Sequence, residues 1–146
     1  MKLIRVYTRP DGQAAFGQLE LMFRNAGPEG LFSKRWPAKH IQFLETPAGQ
    51  AHDWGPVQAR QLLIVLEGVL DVVVADAQQH RLGPGAVVLF EDLHGAGHRL
   101  HIPGSHPCRM LIVTLADGVS IDEVEEAGAG SFPASDPPSW TSTAIT

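Results

Sequence analysis

The sequence predicts an all-β chain built as a sandwich or barrel, and three observations carry that prediction. From Gln61 onward, short runs rich in Val, Ile and Leu follow one another at close intervals. The breaks between them carry glycine or proline. Few stretches have helical character, and about nine or ten short strands need closure or double-sheet packing to protect their edges.

Before Gln61, strands are expected over residues 3–7, 18–23 and 39–44. The run 61–66 then meets Glu67-Gly68 and resumes over 69–75, so glycine stands where a tight hairpin needs positive φ, and the two runs are expected to pair antiparallel. A turn at 76–78, a short strand at 80–82 and a sharp Gly83-Pro84-Gly85 break lead into a strand at 86–91. Pro84 has no amide proton to give a central ladder and belongs in the turn. Runs at 98–102 and Cys108–Leu115 flank a loop containing Pro103 and Pro107. Ser120 with Glu123 three residues on matches a capping box, which predicts a short helix over 121–127. The chain therefore divides into a barrel domain, 1–116, and a short helix with an irregular tail, 117–146. In that tail Phe132 and Trp140 are aromatic groups suited to docking on this subunit or a neighbour.

With 146 residues the chain is long enough to bury about two-thirds of its unfolded surface without a disulfide or metal staple. Eleven Lys and Arg face sixteen Asp and Glu, a formal net charge of -5, which is the wrong sign for binding nucleic acid. The single Cys108 excludes an intramolecular disulfide framework and a multi-thiolate metal site, and fits a reducing, cytoplasmic compartment. The N-terminus does not read as a secretory signal, and no stretch is long and apolar enough to suggest a membrane partner.

Residues 49–98 carry a recognisable pattern. Gly49 and Gly68 stand at the spacing of two glycines that enclose a first motif, with Gly55 and Val57 at its two histidine positions and Gln61 at its glutamate. In a second motif Gly95 and His98 match a glycine and a histidine, Leu93 falls at the expected proline and Ile102 at the closing asparagine. The chain resembles the cupin superfamily. It is most similar to the small single-domain bacterial branch, whose second motif reads like Glu91 to His98, and whose opening looks like Ile4 to Thr8 followed by Asp11-Gly12. The resemblance implies a double-sheet jelly-roll barrel. In metal-bearing cupins three imidazoles and a carboxylate hold a divalent ion, and this chain keeps one of the four, so no metal and no cofactor is expected.

If Gln61 faces inward as the family's glutamate does, alternation turns Leu63 and Val65 inward as well, and an inward His98 brings Leu100 and Ile102. The cavity is then mainly apolar, with the side chains of Gln61, His98 and His40 or Gln42 projecting into it, and Trp36 and Trp54 are candidates for its mouth. His98 is the candidate catalytic residue. The substrate-binding candidates are Gln61, His40, Gln42, Trp54, Arg60, Leu63, Glu91 and Leu100. Arg60 suits an anionic group at the rim, though a surface role is the blander reading. Of Glu91 and Asp92, adjacent residues on a strand, only one is expected to look inward, where it would orient His98 as an acid/base dyad; since unpaired carboxylates are seldom buried, two solvated groups at a strand end is the favoured reading. His40, His52 and His94 are favoured as surface or loop histidines over ligands of a rearranged metal site. Cys108 reads as a small core residue.

The function expected is a metal-independent enzyme that uses His98 for acid/base chemistry on a small organic substrate, of isomerase, cyclase, epimerase or lyase type. The alternatives are a ligand-binding module without catalysis and, behind it, a metal-dependent cupin with rearranged ligands. Leu62, Ile64 and Leu66 make the second face of their strand apolar too, and a homodimer is expected to cover it.

Overall fold

A computed structural model describes residues 1–121 and 124–127. The larger sheet runs in the order β12 (Val124–Ala127), β2 (Ala14–Leu21), β1 (Lys2–Thr8), β9 (Val87–Glu91), β6 (Gln61–Glu67), β11 (Cys108–Leu115) and β5 (Ala38–Thr46). The smaller sheet holds β10 (Arg99–His101), β7 (Leu70–Val73) and β8 (Gln79–Leu82), while β3 (Asn25–Gly27) and β4 (Gly30–Phe32) form a separate hairpin. The result is an all-β, double-sheet jelly roll, open rather than fully closed.

Alternation along the strands separates two cores. Leu63, Val65, Val88, Phe90 and Met110 point from the large sheet toward Leu70, Val72 and Leu100, and together they fill the space between the sheets. Cys108 is fully buried in this layer, and burial pushes its thiol above the usual range. The alternate residues Leu3, Leu19, Leu89 and Leu115 form a second, outer core, closed over by Ile121 and Trp36. Trp36 is thus outer packing and does not form a cavity mouth. The cover ends at β11. Beyond it Ile41 and Phe43 on the edge strand β5 stay 64% and 70% exposed, and Leu66 is exposed as well.

Two local expectations are corrected. The runs on either side of Gly68 do not form a hairpin, because β6 already has β9 on one side and β11 on the other, and β7 pairs instead with β8 and β10 in the opposite sheet. Gly68, at φ 86°, turns the corner between the sheets, and a Cβ there would lie 2.5 Å from the Pro107 carbonyl oxygen. Of the helix expected over 121–127, the described segment Val124–Ala127 is instead a strand that pairs antiparallel with residues 18–21 of β2. A helix of two turns is marginal in water by itself, whereas the open edge of β2 supplies a ladder for every residue laid along it. The tail beyond Ala127, with Phe132 and Trp140, lies outside the described residues.

One buried carboxylate sits on the outer side of the smaller sheet. Asp71 is bridged by Arg81 at 2.9 and 3.1 Å, and His101 lies 3.5 Å away. The three are direct cross-strand neighbours on β8, β7 and β10. Hydrogen bonding from the Arg81 guanidinium holds the Asp71 carboxyl below the usual carboxylate range.

Candidate functional site

The site is built where the loop after β9 returns toward β10. Val88 and Phe90 face inward on β9, so alternation turns Leu89 and Glu91 outward and brings Asp92 to the inner side. Asp92 is fully buried. Its backbone carbonyl accepts from Val57 N at 3.0 Å, and His98 exchanges two 3.1 Å backbone hydrogen bonds with Gly55. One loop, 55–57, therefore clamps both ends of the segment between Asp92 and His98. Gly97, at φ 72°, makes the clamp possible, since a Cβ there would overlap the backbone of Gly55 and Pro56.

Within this frame His98 Nδ1–H donates to Asp92 Oδ2 at 2.6 Å, and the imidazole stacks on Phe90 with ring centroids 4.2 Å apart and planes at 24°. Asp92 Oδ1 has no hydrogen-bond partner among the described residues. A carboxylate bonded to Nδ1 selects the tautomer that carries its proton there and leaves Nε2 with a free lone pair. Phe90 and the carboxylate fix the ring in orientation. His98 is 9% exposed and faces a cavity of about 690 Å³.

From the large sheet the cavity is lined by His40, Leu44, Gln61, Leu63, Ile112 and Thr114, and Leu100 and His98 face them. The 52–59 loop contributes His52, Asp53, Gly55 and Val57. At the mouth Lys39 Nζ lies 3.5 Å from Asp117 Oδ1, both groups exposed.

Of the residues singled out from the sequence, His40, Gln61, Leu63, His98 and Leu100 converge on this cavity. Four are placed elsewhere. Gln42 is exposed on the edge strand outside the lining, and Trp54 is 47% exposed, adjacent in sequence to Asp53 and Gly55 but not lining. Glu91 points to the outer side because Phe90 and Asp92 take the inner one. There it accepts from Arg5 Nε at 2.7 Å and Arg60 Nε at 3.2 Å. Arg60 is accordingly committed to Glu91 and does not stand at the rim. His94 lies on the surface, where its backbone bonds the Thr8 hydroxyl. Asp92 is buried where two solvated groups were the favoured expectation, and Thr114 joins the lining although its strand position was not among the expected site residues. Both were marked by parity: Asp92 continues the inward series Val88, Phe90, and Thr114 continues Met110, Ile112.

The residues at the family's metal positions do not fit a metal ion. Gly55 carries no donor, and a side chain there would enter open space; Val57 is apolar and buried; Gln61 offers only an amide. Among the described residues no three His, Cys, Asp or Glu side chains are grouped to hold one.

Comparison with known proteins agrees with the fold. The family described as Cupin domain matches residues 46–114, which span the clamp loop, both sides of the dyad and most of the cavity floor. That match covers just under half of the chain and supports a cupin-superfamily assignment. Among curated proteins no sequence matches it. Similar solved structures include a cupin superfamily protein from Desulfitobacterium hafniense, 20% identical, covering 58% of this chain and 73% of that one with a TM-score of 0.43. A cupin-2 domain protein from Shewanella frigidimarina is 20% identical, with coverages of 58% and 85% and a TM-score of 0.42. ToxT from Vibrio cholerae is 6% identical over 53% of this chain, with a TM-score of 0.47, and this chain spans only 30% of that structure.

Proposed function

We propose that the protein is a metal-independent cupin enzyme in which His98 Nε2 takes a proton from a small organic substrate and gives it back, to another atom in an isomerisation or cyclisation, to the other face of the same carbon in an epimerisation, or to the departing group in an elimination. The observation that carries this reading is the buried His98–Asp92 pair at the wall of a cavity that polar and apolar side chains line about equally, where a mainly apolar one was expected. Asp92 is a positioning residue: it sets the tautomer, holds the ring and supplies the charge opposite to the one the ring gains on protonation. Nothing in this cycle draws on a metal. A cytoplasmic location accords with the single buried thiol. Among the described residues no helix is long and apolar enough to cross a membrane.

The test uses solvent deuterium. Wild-type protein in D2O with EDTA is incubated with a panel of small aldehydes, ketones and hydroxy acids, and incorporation at carbon is followed by NMR. Exchange that disappears in His98→Asn is the expected result. Asparagine places its amide nitrogen where Nδ1 stood, preserving the bond to Asp92 while removing Nε2. Exchange that survives in His98→Asn, or that EDTA abolishes, overturns the assignment. A wild-type protein that binds compounds from the panel and exchanges none is instead a ligand-binding module.

We propose as well, from the exposed face of the large sheet, that the protein is a homodimer. Ile41 and Phe43 lie in register beside Val113 and Leu111 on β11, which in turn lie beside Leu62 and Ile64, so one apolar face crosses three strands to an open edge. A contiguous patch of this kind on a long edge strand is covered in most soluble proteins. Phe43→Asp should convert a dimer into a monomer by light scattering at micromolar concentration, and a wild-type chain that already scatters as a monomer removes the interface.

A further inference from the structure

The floor of the cavity carries a row of groups set by strand register. Phe90 on β9 is opposite Gln61 on β6, Gln61 is opposite Thr114 on β11, and Thr114 is opposite His40 on β5. Gln61, Thr114 and His40 thus lie across adjacent strands about 4.8 Å apart, and His98, from the opposite sheet's side, stacks on Phe90 at the β9 end of the row. The next row inward is Val88, Leu63 and Ile112, ending on β5 at the exposed Gln42, which lies outside the lining, and the one after it, Val65, Met110 and Leu44, is all apolar. Among the described residues Gln61, Thr114 and His40 have no side-chain hydrogen-bond partner, which leaves their donors and acceptors to whatever occupies the cavity.

Three ligand classes fit this surface poorly. An apolar ligand would bury the row without replacing its bonds to water, a loss at each group. An anion finds one formal cation, Lys39, against Asp53 and Asp117, and Lys39 is already paired with Asp117. A cation finds its carboxylates only at the exposed mouth, where solvent and salt weaken them. What remains is a neutral molecule with several groups that each donate and accept, the property that amide, hydroxyl and imidazole share.

We propose that the cavity binds a neutral polyhydroxylated small molecule, a sugar or cyclic polyol, with hydroxyls on alternate carbons along Gln61, Thr114 and His40 and its C–H face on Leu63 and Ile112. This rests on the reading of the cavity as a substrate site and names the substrate class. Bound in this way, one end of the molecule lies at His98.

The test is an NMR titration of the full chain with glucose and with myo-inositol, observing the Gln61 side-chain amide and the Thr114 methyl and amide. Butyrate, butylammonium and cyclohexanol serve as the anionic, cationic and apolar probes. The expected result is saturable shifts with at least one of the two polyols, and an apparent Kd raised about fivefold in Thr114→Val, which loses one hydrogen bond at nearly constant shape. Saturation by butyrate, butylammonium or cyclohexanol at lower concentration than either polyol overturns the proposal, as does a titration that Thr114→Val leaves unchanged or that neither polyol produces. Binding and deuterium exchange are separate readouts. Polyol binding without exchange defeats only the acid/base reading, and His98-dependent exchange without polyol binding defeats only the substrate class.

Discussion

Gly97→Ala should cost more than about 4 kcal/mol of stability, enough to unfold a domain whose total is typically about 5–15 kcal/mol. Two effects add at this position. The backbone is at φ 72°, where an L side chain is strained by about 1–2 kcal/mol, and the new Cβ would overlap the backbone of Gly55 and Pro56. Neither can yield without opening the two hydrogen bonds between Gly55 and His98. Gly104 separates the two effects: it has φ 82°, but a Cβ there meets open space. Gly104→Ala should therefore show the strain alone, about 1–2 kcal/mol. Urea unfolding of the two variants measures the difference. Equal losses would mean that the approach of Gly97 to the 55–56 backbone is not what holds the clamp. If Gly97→Ala folds at all, the ring of His98 should have lost its fixed position, since the residue it displaces is the one that anchors the His98 backbone.

Most of the fold was legible because the physics that sets it is local. The alternation of Leu63 and Val65 with Leu62 and Ile64 fixed which side chains fill the barrel, and the Cys108–Leu115 strand has the bounds its composition implied. What was not legible depended on partners far away in the chain. Nothing near Gly68 tells that β6 will find β9 and β11 on its two sides, and so nothing there distinguishes a hairpin from a corner. The segment before Ala127 has a capping box and a helical spacing, yet the unpaired edge of β2, more than a hundred residues earlier, decides its conformation. The candidate site divides in the same way. Gln61 and His98 could be placed because the cupin resemblance implies inward side chains at those positions, and Leu63 and Leu100 followed by alternation. Glu91 and Arg60 could not, because each is placed by the other and by Arg5 on the neighbouring strand β1. Asp92 was misjudged on a sound general rule. Buried carboxylates are rare because burial without compensation is expensive, and the compensating group lay six residues away across a loop whose path only the Gly55 to His98 bridge defines.

His98→Ala should destabilise the protein by about 3–5 kcal/mol, although alanine suits the backbone at this position and the site is a candidate for chemistry rather than packing. The reason is Asp92. Its Oδ1 has no protein partner and its Oδ2 has only His98 among the described residues, so alanine at 98 leaves a fully buried carboxylate with no hydrogen bond to either oxygen. The loss should be much smaller in His98→Asn, about 1–2 kcal/mol, because the amide nitrogen still reaches Oδ2 and only the stacking on Phe90 is reduced. Removing the charge as well should restore part of what His98→Ala loses: the double variant Asp92→Ala/His98→Ala is expected to be about 1–3 kcal/mol more stable than His98→Ala, despite the second truncation. Denaturant unfolding of wild type, both single variants at 98, Asp92→Ala and the double variant closes the cycle. If His98→Ala and His98→Asn prove equally stable, or if the double variant falls below His98→Ala by the full cost of Asp92→Ala, then Asp92 does not depend on His98 and the pair is not the unit the geometry describes. The ring itself supplies an independent readout. Nitrogen-15 shifts of His98 should show protonated Nδ1 and unprotonated Nε2 in the neutral wild-type ring, and Asp92→Ala should shift that population toward the other tautomer, which a merely space-filling aspartate would not do.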